Sequence, residues 1–155
     1  MAFFYLDESK YTENAIDLSE IDKQKLTDMA QKFRREQRNR TLLQDDLVSR
    51  MSFGFWCAFF HRRYDPILWQ RSHAIISVFP NLPREQRTRK FIEPLLRNIK
   101  ELRNRIAHHE PVWNMAPSVI DVHGNCLTLI AAMSTEAMIP LRDIDRLPQV
   151  WNETI

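Results

Sequence analysis

The feature that most constrains this chain is its shortage of glycine. Its 155 residues include only Gly54 and Gly124, against eight prolines. Hairpin-rich β folds need more residues that tolerate a positive φ angle than this sequence supplies. A composition of 44% hydrophobic and 27% charged residues is typical of a globular domain with a buried core. We therefore predict an all-α fold.

Hydrophobic periodicity divides the chain into an arm and one domain. Residues 1–17 show no clear period and are predicted to form an N-terminal arm, whereas residues 18–155 are predicted to form a single helical domain. The first helix is predicted to begin at Ser19, with Asp22 three positions later in an arrangement like a capping box. The domain is therefore expected to begin with a capped helix.

Two further long helices are predicted. The segment 45–63 is apolar on most sides past Ser52, so we expect one central, buried helix there. The segment 85–109 is predicted to form the third long helix, because an apolar stripe recurs through it at helical spacing. The members of that stripe are Phe91, Ile92, Leu95, Leu96, Ile99, Leu102 and Ile106.

The remaining segments predict shorter elements. Residues 67–79 are expected to be helical, and a proline-bracketed loop is expected to follow them. Short helices are predicted near residues 127–137 and 141–150. The run VIDVHGNCLTLI around Gly124 also fits a small hairpin, which stays an alternative.

Charge is distributed unevenly, although the net charge is only +2. Residues 31–109 carry +10, and the two flanking segments carry −4 each. A polyanion would dock on the basic middle, where arginine suits bidentate phosphate contacts. The competing interpretation is a set of solvated helix faces.

Cellular location is suggested by what the sequence lacks. Cys57 and Cys126 are too few for a disulfide framework, so we expect both to stay reduced. The N-terminus has no secretion signal, and the apolar run FGFWCAFF is far shorter than the ~20 residues of a membrane span. We therefore predict a cytoplasmic protein that does not enter a membrane.

The densest polar cluster is LRNRIAHHEPVW, at the end of the third long helix. Arg103 and His108 lie about 140° apart on a regular helix, whereas Asn104 and His108 are neighbours at i and i+4. For Arg103 and His108 to serve one site, either the helix must distort there or two copies must meet across a symmetric dimer. The end of the helix at Pro111 makes such a distortion of the helix plausible.

Such a cluster combines a histidine with fixed guanidinium groups, which can move protons and hold a phosphate without a metal. No metal site is predicted, because His108, His109 and Glu110 are consecutive and point in three directions. The alternative is structural: the histidines cap the helix C-terminus, and Arg103 pairs with a nearby glutamate.

At this cluster the chain resembles the HEPN superfamily, and more closely its Abi-like (abortive infection) branch. The superfamily motif is an arginine, usually followed by a polar residue, and then a histidine after four to six residues. Here RNRIAH supplies Arg103, Asn104 and His108. The stretches LVSRMSFGFWCAFFHRRYDPILW and HHEPVWN also look Abi-like. This resemblance covers about residues 42–115.

The resemblance implies a HEPN-like helical bundle that dimerises, with a composite site and metal-independent RNA cleavage in defence or toxin systems. It implies that His108 handles a proton, that Arg103 steadies the phosphorane and that Asn104 orients the phosphate or His108. His109 also fits the spacing and competes with His108. RNA is expected to contact further side chains of the basic middle and the motif, namely Arg97, Lys100, Arg105 and His109.

No cofactor is expected, and the expected partners are RNA, a second copy of the chain and an antitoxin or regulatory protein. A second interpretation is a non-catalytic HEPN module that binds nucleic acid or a partner protein, which an exposed aromatic patch around Trp69 or Trp113 would favour. A third is a helical assembly protein whose histidines only cap a helix.

Overall fold

The computed structural model describes residues 18–37, 40–70 and 74–153. These residues include eight α-helices and no strand, so the predicted all-α class is confirmed. The predicted arm, residues 1–17, lies outside the described residues. The chain divides into two compact units, residues 1–58 and 59–155. The single domain predicted for residues 18–155 stays a prediction.

The first unit contains helices α1 (Glu20–Glu36), α2 (Gln44–Arg50) and α3 (Phe53–Ala58). The predicted start of α1 is confirmed: the Ser19 hydroxyl accepts from the Asp22 N–H at 3.3 Å and donates to the Asp22 carboxylate at 2.7 Å. The first bond satisfies an amide at the helix start, and together the two bonds fix the conformation of the chain where it enters α1.

The fully buried Phe33 of α1 is the centre of a charged arrangement on the first unit. The Arg50 guanidinium lies 4.9 Å from the centre of its ring and bonds the Glu36 carboxylate at 2.6 Å. That hydrogen bond lowers the pKa of Glu36. The arginine thus covers an aromatic face while its charge stays paired.

The predicted central helix 45–63 is wrong, because the chain leaves the helical conformation at Met51. The Ser52 hydroxyl accepts from the Phe55 N–H at 3.1 Å and starts α3 as a separate helix. A serine that caps a new turn competes with continuation of the old helix. Phe55 is the buried residue of α3, and Leu47, Phe59 and Phe60 are also buried, so the segment contributes several buried side chains although it is not one helix.

The second unit contains helices α4 (Ala74–Val78), α5 (Arg89–Ala107), α6 (Val119–Met133), α7 (Met138–Ile144) and α8 (Leu147–Glu153). A 3₁₀ turn (Arg62–Tyr64) and a π-helical turn (Asp65–Trp69) precede α4, so the predicted helix at 67–79 is in two pieces. A further 3₁₀ turn (Arg84–Gln86) precedes α5.

The core of the second unit lies where α5 packs against α6. Ile92 of α5 is fully buried, and Leu129 and Ala132 of α6 belong to the same cluster. Five members of the predicted stripe pack in this core: Phe91, Ile92, Leu95, Leu96 and Ile99. Ile106, the last member of the stripe, is 58% exposed, so the stripe extends beyond the core.

The predicted bounds of α5 were too wide. Thr88 is extended and its hydroxyl accepts from the Phe91 N–H at 3.2 Å, so the helix begins at Arg89 rather than near residue 85. It ends at Ala107 rather than His109, because His109 has a φ of 57°. Local caps set both ends just outside the apolar stripe, which by itself does not mark where the helix begins or ends.

The alternative hairpin around Gly124 is wrong, since that residue lies inside α6. Ser118 and Asp121 form a capping box that starts this helix eight residues before the predicted position. The predicted last helix is split into α7 and α8 at Asp145, whose carboxylate bonds His123 at 2.9 Å.

Cys57 and Cys126 are not joined in a disulfide, and burial raises the pKa of the Cys126 thiol. None of the helices within the described ranges has the length and apolar character needed to cross a bilayer.

Candidate functional site

The candidate site is the C-terminal end of α5 together with the segment that leaves it. Arg97, Asn104 and His108 lie within about 20° of one line along this helix, because they are spaced by seven and four residues. That line is opposite the apolar stripe that packs on α6. The packing of the core therefore turns this face of α5 away from the protein interior.

A pair of crossed backbone bonds ends α5. The His109 N–H donates to the Ile106 carbonyl at 3.2 Å, and the Glu110 N–H donates to the Arg105 carbonyl at 2.8 Å. These are the two bonds of a Schellman motif, with His109 in the left-handed position usually taken by glycine. His109 therefore has a structural role at the helix exit through its backbone conformation, and the pairing of Arg103 with a glutamate that the structural alternative expected is not found among the described residues.

Arg105 holds the exit segment against the last turns of the helix. Its guanidinium donates to the Pro111 carbonyl at 3.1 Å and lies 3.5 Å from the Glu101 carboxylate. A positive group at a helix C-terminus also interacts favourably with the helix dipole. The predicted substrate contact at Arg105 is thus already engaged with protein atoms.

The Arg103 side chain is hydrogen-bonded to the side chain of Asn104. The Arg103 guanidinium donates to the Asn104 side-chain carbonyl oxygen at 3.1 Å, and Arg103 itself is exposed. Asn104 is one turn before His108, and the backbone N–H of His108 donates to the backbone carbonyl of Asn104 at 2.9 Å. The side-chain amide of Asn104 therefore holds the arginine next to the face of α5 that carries the histidine.

The expectation that the helix distorts between Arg103 and His108 is wrong. The helix is regular through Ala107, and the i to i−4 bond of His108 keeps that residue in helical register. The break comes one residue later, at His109. The Cβ atoms of Arg103 and His108 therefore stay about 140° apart around the axis.

Several cations near the motif have no carboxylate partner. Arg97 and Arg103 are exposed and Lys100 is half-buried. No ion pair joins these three to any residue that the structure describes, whereas Arg89 and Arg105 lie 3.5 Å from Asp65 and Glu101. Exposed cations without paired carboxylates leave this face of α5 positive, which suits an anionic ligand.

Of the two tryptophans at which an exposed aromatic patch would favour a binding module, Trp113 is exposed and Trp69 packs against the core. The Trp113 indole is 76% exposed, more than any other large hydrophobic side chain among the described residues. This tryptophan follows a glutamate-proline helix exit, where the chain turns at the surface.

Replacing His109 with glycine is expected to stabilise the protein by about 0.5–1 kcal/mol, since glycine adopts a positive φ without the Cβ clash of histidine. Urea unfolding at neutral pH would measure the change in free energy of unfolding. His108→Gly is the matched control, because His108 has a φ of −99° and offers no such gain. Equal or lower stability of His109→Gly would contradict the assigned role of the left-handed residue.

Comparison with known proteins gives one match. The family model described as Abi-like protein matches residues 1–114. The match extends our expected range of 42–115 to the first residue, and it includes the whole motif and Trp113. No curated protein and no solved structure matches the chain.

Proposed function

The chain belongs to the Abi-like protein family, and from this membership and the geometry of the motif we propose that it is a metal-independent ribonuclease of the HEPN type. We place it in a bacterial or phage-related defence or toxin system, acting in the cytoplasm. Abi-like membership supports the defence role, and the chemistry rests on the arrangement of side chains at the end of α5.

One observation carries the proposal: the Arg103 guanidinium is hydrogen-bonded to Asn104, which precedes His108 by one helical turn. A guanidinium and an imidazole at the exposed end of the same helix supply the two groups that phosphodiester cleavage needs. The guanidinium stabilises negative charge at phosphorus, and the imidazole transfers a proton.

In the proposed reaction, His108 removes the proton of an RNA 2′-hydroxyl. The 2′-oxygen then attacks the adjacent phosphorus, and the bond between phosphorus and the 5′-oxygen of the next nucleotide breaks. Arg103 stabilises the negative phosphorane, and Asn104 orients the phosphate or the imidazole. The leaving oxygen recovers a proton from solvent. The products are a 2′,3′-cyclic phosphate and a 5′-hydroxyl.

RNA binding is assigned to the positive face of α5. Arg97 and Lys100 are free of ion pairs to described residues, so they are placed to contact phosphates on the strand that leads to His108. Arg105 and His109 border the same site, and we assign their main contribution to holding the exit segment in position.

We further propose that the enzyme is a homodimer with a composite site. The angular separation of Arg103 and His108 on a regular helix supports this arrangement, because a second copy could present its arginine to the histidine of the first. An antitoxin or regulatory protein that covers the site is the expected partner of such a toxin.

The test is cleavage of mixed cellular RNA by the purified protein in EDTA, followed by analysis of the product ends. Cyclic phosphate and 5′-hydroxyl ends are expected. Cleavage that requires an added divalent metal, or that leaves 5′-phosphates, would contradict the proposed chemistry.

A non-catalytic HEPN module is the second candidate. The exposure of Trp113 and Ile106 at the motif favours it, because exposed apolar side chains often mark a binding surface. Retention of RNA on the protein without cleavage in the same assay would select this alternative.

A further inference from the structure

Trp113 lies on the surface in a defined backbone setting. The Met115 N–H donates to the Val112 carbonyl at 3.3 Å, so the tryptophan occupies the first central position of a four-residue turn. Tryptophan is on average a highly buried residue, and its turn propensity is low. An indole that is 76% exposed contributes little to the stability of the fold.

The turn is tied to the candidate site through Arg105. This arginine donates to the carbonyl of Pro111, two residues before Trp113, and its own carbonyl accepts from the Glu110 N–H. Two bonds therefore fix the exit segment to the last turn of α5. These bonds restrain the backbone of the four residues that separate His108 from Trp113, so the tryptophan stays close to the motif along the chain.

The surroundings of the indole match a nucleotide better than a protein. A tryptophan contributes about 150–250 Å² of contact area, whereas a stable protein interface needs roughly 800 Å² from each partner. Ile106 is a further exposed apolar side chain in the last turn of α5, and the same helix carries Arg97, Lys100 and Arg103, which form no ion pair with a described residue. Exposed aromatic rings combined with unpaired cations are the usual way to hold a single strand.

We propose that Trp113 stacks on the base of a nucleotide next to the scissile phosphate, and that this contact restricts the protein to unpaired RNA. The inference rests on the proposed function, since it names the substrate class of the same site. In a duplex every base is already stacked and its face is covered, so the indole has nothing to bind. Loops, bulges and single-stranded ends are the expected targets.

The test measures binding separately from cleavage. The probe is a fluorescent 2′-O-methyl RNA of about 12 nucleotides, which matches a single-strand site and lacks the 2′-hydroxyl that the reaction needs. Anisotropy titrations would compare the strand with its duplex on the wild type, Trp113→Leu and Trp113→Phe. Ile139→Ala is the control, because Ile139 is 66% exposed on a different helix.

We expect the wild type to bind the single strand at least 10-fold more tightly than the duplex. Trp113→Leu should weaken single-strand binding on the order of 10-fold to 100-fold, whereas Trp113→Phe should keep most of it because it keeps an aromatic face. Ile139→Ala should bind as the wild type does. These results would support the platform even if no RNA is cleaved, so a failure of the catalytic proposal is distinguishable.

Four outcomes would overturn the inference. One is equal binding by Trp113→Leu and the wild type, and another is equal binding of strand and duplex. The third is a wild type that binds neither probe. A dimer that dissociates only in Trp113→Leu would also count against it, since the indole would then belong to a protein interface.

Discussion

Alanine at His108 is expected to lower the rate of RNA cleavage by about 10²–10⁴-fold, the usual contribution of a positioned general acid or base. Arg103→Ala is expected to lower it by about 10²–10³-fold, because the developing charge on the phosphorane loses its guanidinium partner. Initial rates on single-stranded RNA in EDTA would measure both. Neither change should unfold the protein, since both side chains are exposed.

His109→Gly is the control that separates the two adjacent histidines. It removes an imidazole while relieving the left-handed backbone, so the variant should cleave RNA within about 3-fold of the wild type and be more stable. Loss of cleavage in His109→Gly with cleavage retained in His108→Ala would transfer the proton-handling role to His109. Equal rates in all variants would point to a contaminating nuclease.

The fold class was predictable because it depends on residue type and spacing. Ser19 and Asp22 form the predicted cap, and Ile92 lies at the centre of the core where the apolar stripe placed it. These features require only that a polar side chain reach a nearby amide, or that one helix face be apolar throughout. Both conditions can be read from a single sequence.

The helix ends were less predictable because they are decided by competition between local hydrogen bonds. Ser52 stops one predicted helix although apolar residues follow it, and Thr88 delays the start of another within a polar stretch where the apolar stripe marks no boundary. His109 occupies a position that favours glycine, so no glycine marked the true end of α5. A pattern of apolar residues does not report which of two hydrogen-bonded alternatives has the lower free energy.

The geometry of the candidate site could not be predicted from the sequence, and the roles of its residues stay predictions. The link between Arg103 and Asn104 depends on a rotamer, and the engagement of Arg105 with Pro111 depends on the path of the exit segment. Sequence spacing gave only the angle between Arg103 and His108. The structure fixes the position of the helix break beyond His108, and so removes distortion as a way to join the two.

Mixing the two inactive variants is therefore expected to restore cleavage. In a dimer of Arg103→Ala with His108→Ala, one of the two composite sites receives an intact arginine from one protomer and an intact histidine from the other. With half of the dimers mixed, activity should return to about a quarter of the wild-type value. Cleavage rates after co-expression or subunit exchange would measure the recovery, and native mass measurement would give the fraction of mixed dimers.

The matched control is a mixture of Arg103→Ala with the Arg103→Ala/His108→Ala double variant, which contains no intact arginine and should stay inactive. Mixed dimers that form without recovering activity would place both residues of one protomer in one site. The hydrogen bond from Arg103 to Asn104 would then be the feature that brings the guanidinium to His108, and Asn104→Ala would be as damaging as Arg103→Ala. Recovery of activity instead assigns the 140° separation to a site that needs two chains, because a regular helix keeps its own arginine and histidine on different sides.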